Sequence, residues 1–209
     1  MTSPPRQPAK QRRRQRAAPL QRGRIRLIGG SFRRRVLPVI DSPGLRPTPD
    51  RVRETLFNWL TRDIANAQVL DLFSGTGALG LEALSRGARH VHLIEQHPRV
   101  ADGLRTNIAA LGAAQLATVY ALDAVQWLQR PAPHPFDVVF LDPPFRQGLA
   151  APCCALLEEN GWLAASAFIY LEVEADLTFI PATNWQLHRE TRAGDSHGML
   201  FVRHADADP

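Results

Sequence analysis

The chain has 209 residues, of which 44% are hydrophobic, and a formal net charge of +5. This length predicts one compact domain with appendages, large enough to bury a core without disulfides or metal staples. No apolar run reaches the roughly 18 residues of a membrane span, and the basic start of the chain lacks the apolar segment of a secretory signal. The two cysteines, Cys153 and Cys154, are adjacent, which excludes a CxxC pair and disfavours a metal cage. We therefore expect a cytoplasmic protein without a metal or a membrane segment.

The positive charge is concentrated at the start of the chain. Residues 1–35 contain 12 of the 25 Lys and Arg and no acidic residue, which leaves 13 basic against 20 acidic residues in the remainder. Nearly all of these are arginine, which binds phosphate in bidentate geometry and stacks on bases. Residues 1–22 have few apolar side chains, so we expect a tail that is disordered until bound. Nucleic acid is the natural partner, and a solvated tail without a partner is the alternative.

Residues 23–62 predict a small extension in front of the main domain. Apolar residues at 25, 27, 36 and 39 flank a Gly-Gly-Ser turn and an arginine run, a pattern typical of a basic hairpin. The segment RPTPDRVRETLFNWL at 46–60 predicts a helix with Thr48 as N-cap and Pro49 at the first helical position. Its apolar residues recur at helical spacing and predict a face packed on the core: Val52, Leu56, Trp59 and Leu60.

Five arginines of this extension are candidate contacts to an RNA substrate: Arg33, Arg34, Arg46, Arg51 and Arg53. The three in the 46–60 segment lie off its apolar stripe. A solvated helix face would have the same sequence pattern, so both interpretations stay open.

From residue 68 onward, strands and helices alternate. Strands are predicted near 68–73, 90–95, 116–121 and 136–141, and helices near 77–86, 98–111, 124–129 and 148–159. Regular alternation predicts an α/β fold, a Rossmann-like doubly wound sheet of parallel strands with helices on both faces. Two later segments, 185–192 and 198–203, are separated by an Ala-Gly-Asp turn and predict an antiparallel hairpin at one edge.

A glycine-rich turn joins the first of these strands to its helix. Residues 71–80 have the sequence DLFSGTGALG, in which Gly75, Gly77 and Gly80 fit the pattern G-x-G-x-x-G. Glycine permits positive φ there and lets a ligand approach the backbone. A strand, a glycine turn and a helix in this order predict the first half of a nucleotide-binding unit.

Two acidic residues narrow the choice of ligand. Glu95, 20 residues after Gly75, ends the next strand, where a carboxylate can accept hydrogen bonds from both ribose hydroxyls. Asp71 stands at the strand end beside the glycine turn, where its charge would repel a pyrophosphate and attract a cationic amino-acid tail. S-adenosylmethionine combines adenosine, a sulfonium and an α-ammonium, so the pattern favours it over a dinucleotide.

Asp123 follows the third strand of the alternating region. It could contact the adenine amino group of the cofactor, or it could cap the next helix, and the sequence does not separate these roles. The expected cofactor-binding set is therefore Asp71, Phe73, Gly75, Gly77, Glu95 and Asp123.

A second chemical motif, DPPF at 142–145, follows the strand predicted at 136–141. Ligands of doubly wound sheets bind beyond the carboxyl ends of the strands, so Asp142 and Asp71 should face one crevice. The prolines remove two amide donors, which leaves the Asp142 carboxylate and the Pro143 carbonyl as acceptors beside an aromatic ring. Two acceptors can hold the N–H bonds of a nucleobase amine and turn its lone pair toward an electrophile, while Phe145 stacks on the base. Asp142, Pro143 and Phe145 are thus the expected catalytic residues, with Asp142 able to take the proton.

These segments resemble class I S-adenosylmethionine-dependent methyltransferases that act on amino groups. More narrowly, the chain is similar to the bacterial 16S ribosomal RNA guanine-N2 methyltransferases that act on the guanine usually numbered 966. The resemblance covers residues 24–202 and rests on RLIGG at 26–30, on the segment at 46–60, on DLFSGTGALGLEA at 71–83 and on DPPF. The segment at 46–60 is the most specific to the family, because the glycine and DPPF motifs define only the superfamily.

The resemblance implies that 63–209 form the methyltransferase domain, built on a seven-stranded sheet, mostly parallel with an antiparallel edge strand. It also implies that the substrate is 16S rRNA within an assembled or assembling small ribosomal subunit, and we expect a monomer. An adenine-N6 or other amino methyltransferase, and an RNA-binding assembly protein without catalysis, are the alternatives. A dehydrogenase is disfavoured by Asp71 and DPPF.

Overall fold

The computed structural model describes residues 22–40 and 49–204. An N-terminal extension comes first, made of β1 (Arg22–Arg26), β2 (Val36–Ile40) and α1 (Asp50–Trp59). The next elements alternate: β3 (Gln68–Asp71), α2 (Ala78–Ser85), β4 (His90–Ile94), α3 (Pro98–Ala110), β5 (Ala117–Tyr120), α4 (Ala124–Leu128), β6 (Phe136–Leu141), α5 (Ala150–Glu159) and β7 (Leu163–Glu174). A hairpin of β8 (Trp185–Ala193) and β9 (Ser196–Arg203) follows. The eight elements from β3 to α5 begin and end within about two residues of their predicted bounds.

The main sheet of the described residues has seven strands in the order β5-β4-β3-β6-β7-β9-β8. Strands β5, β4, β3, β6 and β7 pair in parallel. The chain runs outward from β3 to β5 and then returns to the other side of β3 with β6, so the strand order reverses between β3 and β6. This confirms the predicted doubly wound fold and makes the β3–β6 boundary the place where such folds bind ligands.

The hairpin at the sheet edge is confirmed, but its geometry differs from the expected antiparallel edge strand. The antiparallel strand is β9, which lies between β7 and β8 and pairs antiparallel with both. The edge strand is β8, which runs in the same direction as β7. After β7 the chain forms β8 at the edge of the sheet. The tight turn at 194–195 then returns the chain as β9, which lies between β7 and β8.

The core lies on both faces of this sheet. One cluster of buried side chains joins the sheet to α1, α2 and α3, and the other joins it to α4 and α5. Strand β6 contributes to both clusters because Val138 and Phe140 face one side while Val139 and Leu141 face the other. No helix among the described residues has the length and apolar character to cross a membrane.

The N-terminal hairpin packs on α2 and shares its core. Its inward side chains belong to the same cluster as that helix: Ile25, Leu27, Leu37 and Val39. Gly30, with φ of 74°, lies so close to α2 that a Cβ would come within 1.7 Å of the Ser85 carbonyl oxygen. The Ser31 amide donates to that same oxygen at 2.7 Å. Only glycine permits this approach, which explains the pair of glycines in the hairpin turn.

Glu82 on α2 anchors the hairpin to the domain. Its carboxylate is 0% exposed and accepts hydrogen bonds from the amides of Ile28 and Gly29, each at 2.8 Å. Arg86 donates to the same carboxylate through Nε, also at 2.8 Å. A buried carboxylate is stable only when its charge and lone pairs are satisfied, so the hairpin and this side chain depend on each other.

Arg53 corrects the sequence interpretation, which placed it among the solvent-facing contacts to RNA. Its side chain is 1% exposed and donates to the Arg26 carbonyl at 3.0 Å and to Asp50 at 2.6 Å. The carboxylate of Glu82 lies 3.9 Å from its Nη1. Arg53 is therefore an internal cation between α1, the hairpin and α2, and the prediction of an RNA contact is wrong for this residue.

The start of α1 also differs from the prediction. Helix α1 begins at Asp50, and Pro49 is its N-cap with an extended ψ of 143°, so Pro49 is not the first helical residue. The Pro49 carbonyl already accepts from the amides of Val52 and Arg53, which fixes the helix start. Thr48, the expected N-cap, and Arg46 lie outside the described residues, as do residues 1–21 of the expected tail.

The Glu82 anchor generates a stability prediction. Glu82→Gln keeps the shape of the side chain but turns an amide NH₂ toward donors, removes the anion that pairs with Arg86 and leaves Arg53 with Asp50 alone. We expect a loss of about 2–4 kcal/mol in the free energy of unfolding, measured by urea denaturation. The matched control is Glu54→Gln on the exposed face of α1, which should change stability by less than about 0.5 kcal/mol. Equal effects of the two substitutions would contradict the anchoring role.

Candidate active site

A cavity of about 610 Å³ opens beyond the carboxyl ends of the parallel strands. The loops after β3, β4, β5 and β6 line it, together with the end of β7 and the β8–β9 turn. Pro49 and Val52 at the start of α1 also contribute to its wall. Its polar lining includes five acidic side chains that the paragraphs below describe: Asp71, Glu95, Asp123, Asp142 and Glu172.

Asp71 ends β3 at the base of the cavity. The carboxylate is only 2% exposed, and one oxygen accepts a hydrogen bond from the Gly80 amide at 2.9 Å. Burial raises the pKa of Asp71 to about 7, the charge of Glu95 adds to the rise, and the Gly80 amide opposes it. A carboxylate with so little hydration favours a cationic ligand group, because such a group restores the lost charge stabilisation.

The glycine turn is held in place by Glu95. Gly75 has φ of 48°, and its amide donates to the Glu95 carboxylate at 3.0 Å. The other oxygen of Glu95 accepts from the His97 amide at 2.7 Å. Each carboxylate oxygen has two acceptor directions, so Glu95 can still accept from a ligand while it holds the turn. Phe73, half-buried, lines the cavity between Asp71 and this turn.

Gly77 and Gly80 serve packing rather than the cavity surface. Neither is among the described residues that line the cavity, although Gly77 was predicted to contact the cofactor. Gly77 has φ of 80°, and a Cβ there would come within 2.5 Å of a methyl group of Leu104. A Cβ on Gly80 would come within 2.9 Å of the Asp71 carboxylate that its amide contacts. Glycine at these positions allows α2 to approach its neighbours closely.

Asp123 has one of the two roles that the sequence left open, and its position in the cavity bears on the other. It is the N-cap of α4, and its side chain accepts from the Gln126 amide at 2.9 Å. It also lines the cavity, beside Leu122 and Ala124. A capping carboxylate has further acceptor capacity, so the cap does not prevent contact with a ligand.

The DPPF turn forms the wall opposite Asp71. Asp142, Pro143, Pro144 and Phe145 all line the cavity directly after β6. The register of β3 and β6 pairs Asp71 with Phe140, so Asp142 lies two residues further toward the cavity. The next residue, Arg146, has φ of 61°, and its amide donates to Glu174 at the end of β7. Two prolines and this hydrogen bond fix the turn, which brings the two predicted motifs into one site.

Glu172 is a cavity residue that the sequence analysis did not identify. It lies near the end of β7, is 6% exposed, and lines the cavity with Ser196 of the β8–β9 hairpin. The hydroxyl groups of Tyr170 and Ser196 donate to its two oxygens at 2.9 Å and 2.6 Å. The signal in the sequence was an acid at the carboxyl end of an apolar strand, FIYLEVE at 168–174, without a motif around it.

Four of the five predicted RNA-binding arginines lie within the described residues, and all of them except Arg53 are exposed. Arg33 and Arg34 are exposed in the turn between β1 and β2, and Arg51 is exposed on α1. They share the N-terminal extension that supplies Pro49 and Val52 to the cavity wall. No cluster of three or more His, Cys, Asp or Glu within the described ranges could hold a metal ion.

Comparison with known proteins agrees with this geometry. A family described as conserved hypothetical protein 95 matches residues 25–202. Ribosomal RNA small subunit methyltransferase D of Escherichia coli (strain K12) is 53% identical over 189 residues, 89% of this chain and 93% of that protein. The protein of the same name from Haemophilus influenzae is 46% identical over 84% of this chain and 92% of its own length.

Solved structures show the same relationship. The structure of a putative methyltransferase, yhhF, from Escherichia coli has a TM-score of 0.81 and 51% identity, and the match covers 88% of this chain and all of that one. The family match at 25–202 contains β2, α1 and every element from β3 to β8, and it extends into β1 and β9. The chain therefore belongs to the conserved hypothetical protein 95 family, and it is similar to the proteins named ribosomal RNA small subunit methyltransferase D.

Proposed function

We propose that this protein transfers a methyl group from S-adenosylmethionine to the exocyclic N2 amine of a guanine in 16S ribosomal RNA. The substrate is the 966-type guanine, presented by an assembled or assembling small ribosomal subunit. One observation carries the proposal: Asp71 and the DPPF turn line a single cavity. The names of the relatives support ribosomal RNA of the small subunit as the substrate.

The cavity residues fit S-adenosylmethionine. A volume of about 610 Å³ is in the range of small-molecule sites. The buried carboxylate of Asp71 suits a cationic amino-acid group, and Glu95 and Asp123 offer acceptors for hydroxyl and amino groups. When bound, S-adenosylmethionine supplies an electrophilic methyl group on a positively charged sulfur.

The DPPF turn orients the accepting amine. The carboxylate of Asp142 and the carbonyl of Pro143 accept hydrogen bonds from the two N–H groups of this amine, which directs the nitrogen lone pair into the cavity. Phe145, half-buried in the same wall, stacks on the base and fixes its plane. Positioning of this kind removes much of the entropic barrier, because the reacting atoms no longer have to find each other. Asp142 takes the amine proton as the nitrogen becomes cationic, or passes it to water.

The N-terminal extension provides the phosphate contacts. Arg33, Arg34 and Arg51 are exposed there, whereas the carboxylates of Asp71, Glu95 and Glu172 are buried in the cavity wall. We assign RNA binding to residues 23–62, methyl transfer to residues 63–209 and an accessory basic tail to residues 1–22, in a protein that acts as a monomer. Arg46 belongs to the same basic set by its sequence position.

The direct test is methylation of small-subunit particles that lack the modification. Particles, enzyme and S-adenosylmethionine with a labelled methyl group are incubated, and the 16S rRNA is digested to nucleosides. We expect the label in N2-methylguanosine. Label in N6-methyladenosine would overturn the assignment of the target base, and calorimetry without detectable S-adenosylmethionine binding would favour an assembly protein without catalysis.

Asp142→Ala should separate chemistry from cofactor binding. The substitution removes an acceptor of the target amine, so we expect kcat to fall by at least about 100-fold. The dissociation constant for S-adenosylmethionine, measured by calorimetry, should change by less than about threefold, since Asp71 and Glu95 remain. Asp102→Ala, an exposed acid on α3, is the matched control with unchanged kcat. A large loss of cofactor affinity in Asp142→Ala would show that this carboxylate belongs to the cofactor wall.

Binding of S-adenosylmethionine should depend on pH through Asp71. Because burial raises the pKa of Asp71 to about 7, the carboxyl is neutral at lower pH and loses its attraction for a cation. Affinity should therefore rise with pH, by at most about tenfold per unit, and level off above pH of about 7. Asp71→Asn should bind more weakly and without this dependence between pH of about 5.5 and 7.5. Calorimetry in two buffers counts the released proton, and a flat wild-type profile would contradict the role of Asp71.

A further inference from the structure

We propose that Glu172 selects guanine as the target base by accepting a hydrogen bond from its N1–H group. This inference rests on the proposed function, because it assumes that a nucleobase amine enters the cavity at the DPPF turn. It supplies what the DPPF motif lacks, since two acceptors around an amine do not distinguish guanine from adenine.

The sheet register places Glu172 beside the acceptor that holds the amine. Strands β6 and β7 are parallel, with Phe140 beside Tyr170 and Leu141 beside Leu171. The next residues in this register are Asp142 and Glu172, and both line the cavity. Burial raises the pKa of Tyr170, and the charges of Glu172 and Asp142 add to the rise.

The residues around Glu172 hold its carboxylate in one position. The hydroxyl of Tyr170 donates to one carboxylate oxygen at 2.9 Å, and that of Ser196 donates to the other at 2.6 Å. Gly198 on β9 makes room for this contact, because a Cβ there would come within 2.5 Å of the Tyr170 hydroxyl. Both donors are neutral, so they fix the position of the carboxylate without neutralising its charge. Each oxygen has a further acceptor direction for a ligand.

The edges of the two purines differ at the atom next to the amine. In guanine, the N2 amine is followed by N1–H, which is a second donor. In adenine, the N6 amine is followed by an unprotonated N1, which is an acceptor. A carboxylate fixed beside the amine-binding acceptors satisfies the guanine edge, whereas an adenine N1 would leave it dehydrated and without a donor. Sites built to bond a particular polar group reject an analogue that lacks it far more strongly than apolar pockets reject a change of size.

The test compares guanine with 2-aminopurine at the target position of reconstituted small-subunit particles. 2-Aminopurine keeps the amine at C2 but has an acceptor at N1 and no oxygen at C6. The measured quantity is the ratio of kcat/KM for guanine to that for 2-aminopurine, in wild type and in Glu172→Gln. The missing oxygen affects both enzymes alike, so the change in the ratio isolates the contact between residue 172 and N1.

We expect wild type to prefer guanine by at least about 100-fold, and Glu172→Gln to reduce this ratio by at least about tenfold. The NH₂ group of glutamine can donate to the unprotonated N1 of 2-aminopurine, but it opposes the N1–H group of guanine. The guanine rate therefore falls, while the 2-aminopurine rate stays constant or rises. Affinity for S-adenosylmethionine should not change. Equal loss with both bases, or no loss with guanine, would overturn the inference and leave a structural role for Glu172.

A second variant keeps the test decisive if Glu172→Gln does not fold. Ser196→Ala removes one donor from the half-buried hairpin turn and leaves the carboxylate charge in place. The guanine kcat/KM should then fall by about threefold or more with the 2-aminopurine value unchanged, and a parallel or absent change overturns the inference. If wild type methylates no guanine N2 in the particles, the proposed function fails and the inference fails with it. If wild type methylates guanine N2 and both variants leave the ratio of kcat/KM for guanine to that for 2-aminopurine unaltered, only the inference fails.

Discussion

The parallel pairing of β3 with β6 is the constraint on which the site depends. It sets Asp71 opposite Phe140 and so brings Asp142 to the same edge of the sheet, although 70 residues separate the two acids in the chain. The strand order reverses at this pair, and a crevice for a ligand forms beyond the carboxyl ends of the two strands. A slip of the register by one residue would turn one of the two carboxylates to the other face of the sheet. The side chains of β6 are buried in a core cluster on each face of the sheet.

The distribution of charge indicates how a nucleic-acid substrate would be oriented on the protein. The cavity wall carries several carboxylates, whereas exposed arginines are concentrated in the N-terminal extension. Phosphates are therefore attracted to the extension and repelled from the cavity, and the groups that enter the cavity should be cations or neutral donors. The ammonium of a methyl donor and the N–H groups of a base satisfy this condition. The same segregation orients a flipped nucleotide with its base inward and its backbone outward.

Sequence reasoning succeeded where the signal was local. The strand–turn–helix pattern at 71–80 and the DPPF turn depend on neighbouring residues, and both lie in the cavity as predicted. Doubly wound topology followed from the alternation of elements, because connection rules leave few arrangements. Gly77 was assigned to the ligand because a motif does not reveal which of its glycines faces a ligand and which one permits helix packing.

The errors and omissions concern residues whose partners are distant in the chain. Arg53 lies off the apolar stripe of α1, yet the hairpin and Glu82 bury it. Glu172 has no motif around it, and its meaning depends on Tyr170 beside it, on a hydroxyl 24 residues later and on a register with β6. The position of β9 between β7 and the edge strand β8 likewise depends on pairing with β7, which is not its neighbour in the chain. Side-chain chemistry predicts what such groups need, but not which segment supplies it.

The Glu82 anchor connects the N-terminal extension to the helix that follows the glycine turn of the cavity. The hairpin, α1 and α2 share buried charges and one apolar cluster, so the exposed arginines belong to the same packed unit as the glycine turn that α2 follows. Helix α1 also contributes Pro49 and Val52 to the cavity wall. An extension that only attracted phosphates would need no such contacts, because this attraction also acts when the basic residues lie on a flexible segment. The buried interface is explained if the extension must hold the nucleotide at a fixed distance from Asp142, since a misplacement of about 1 Å can remove much of the rate.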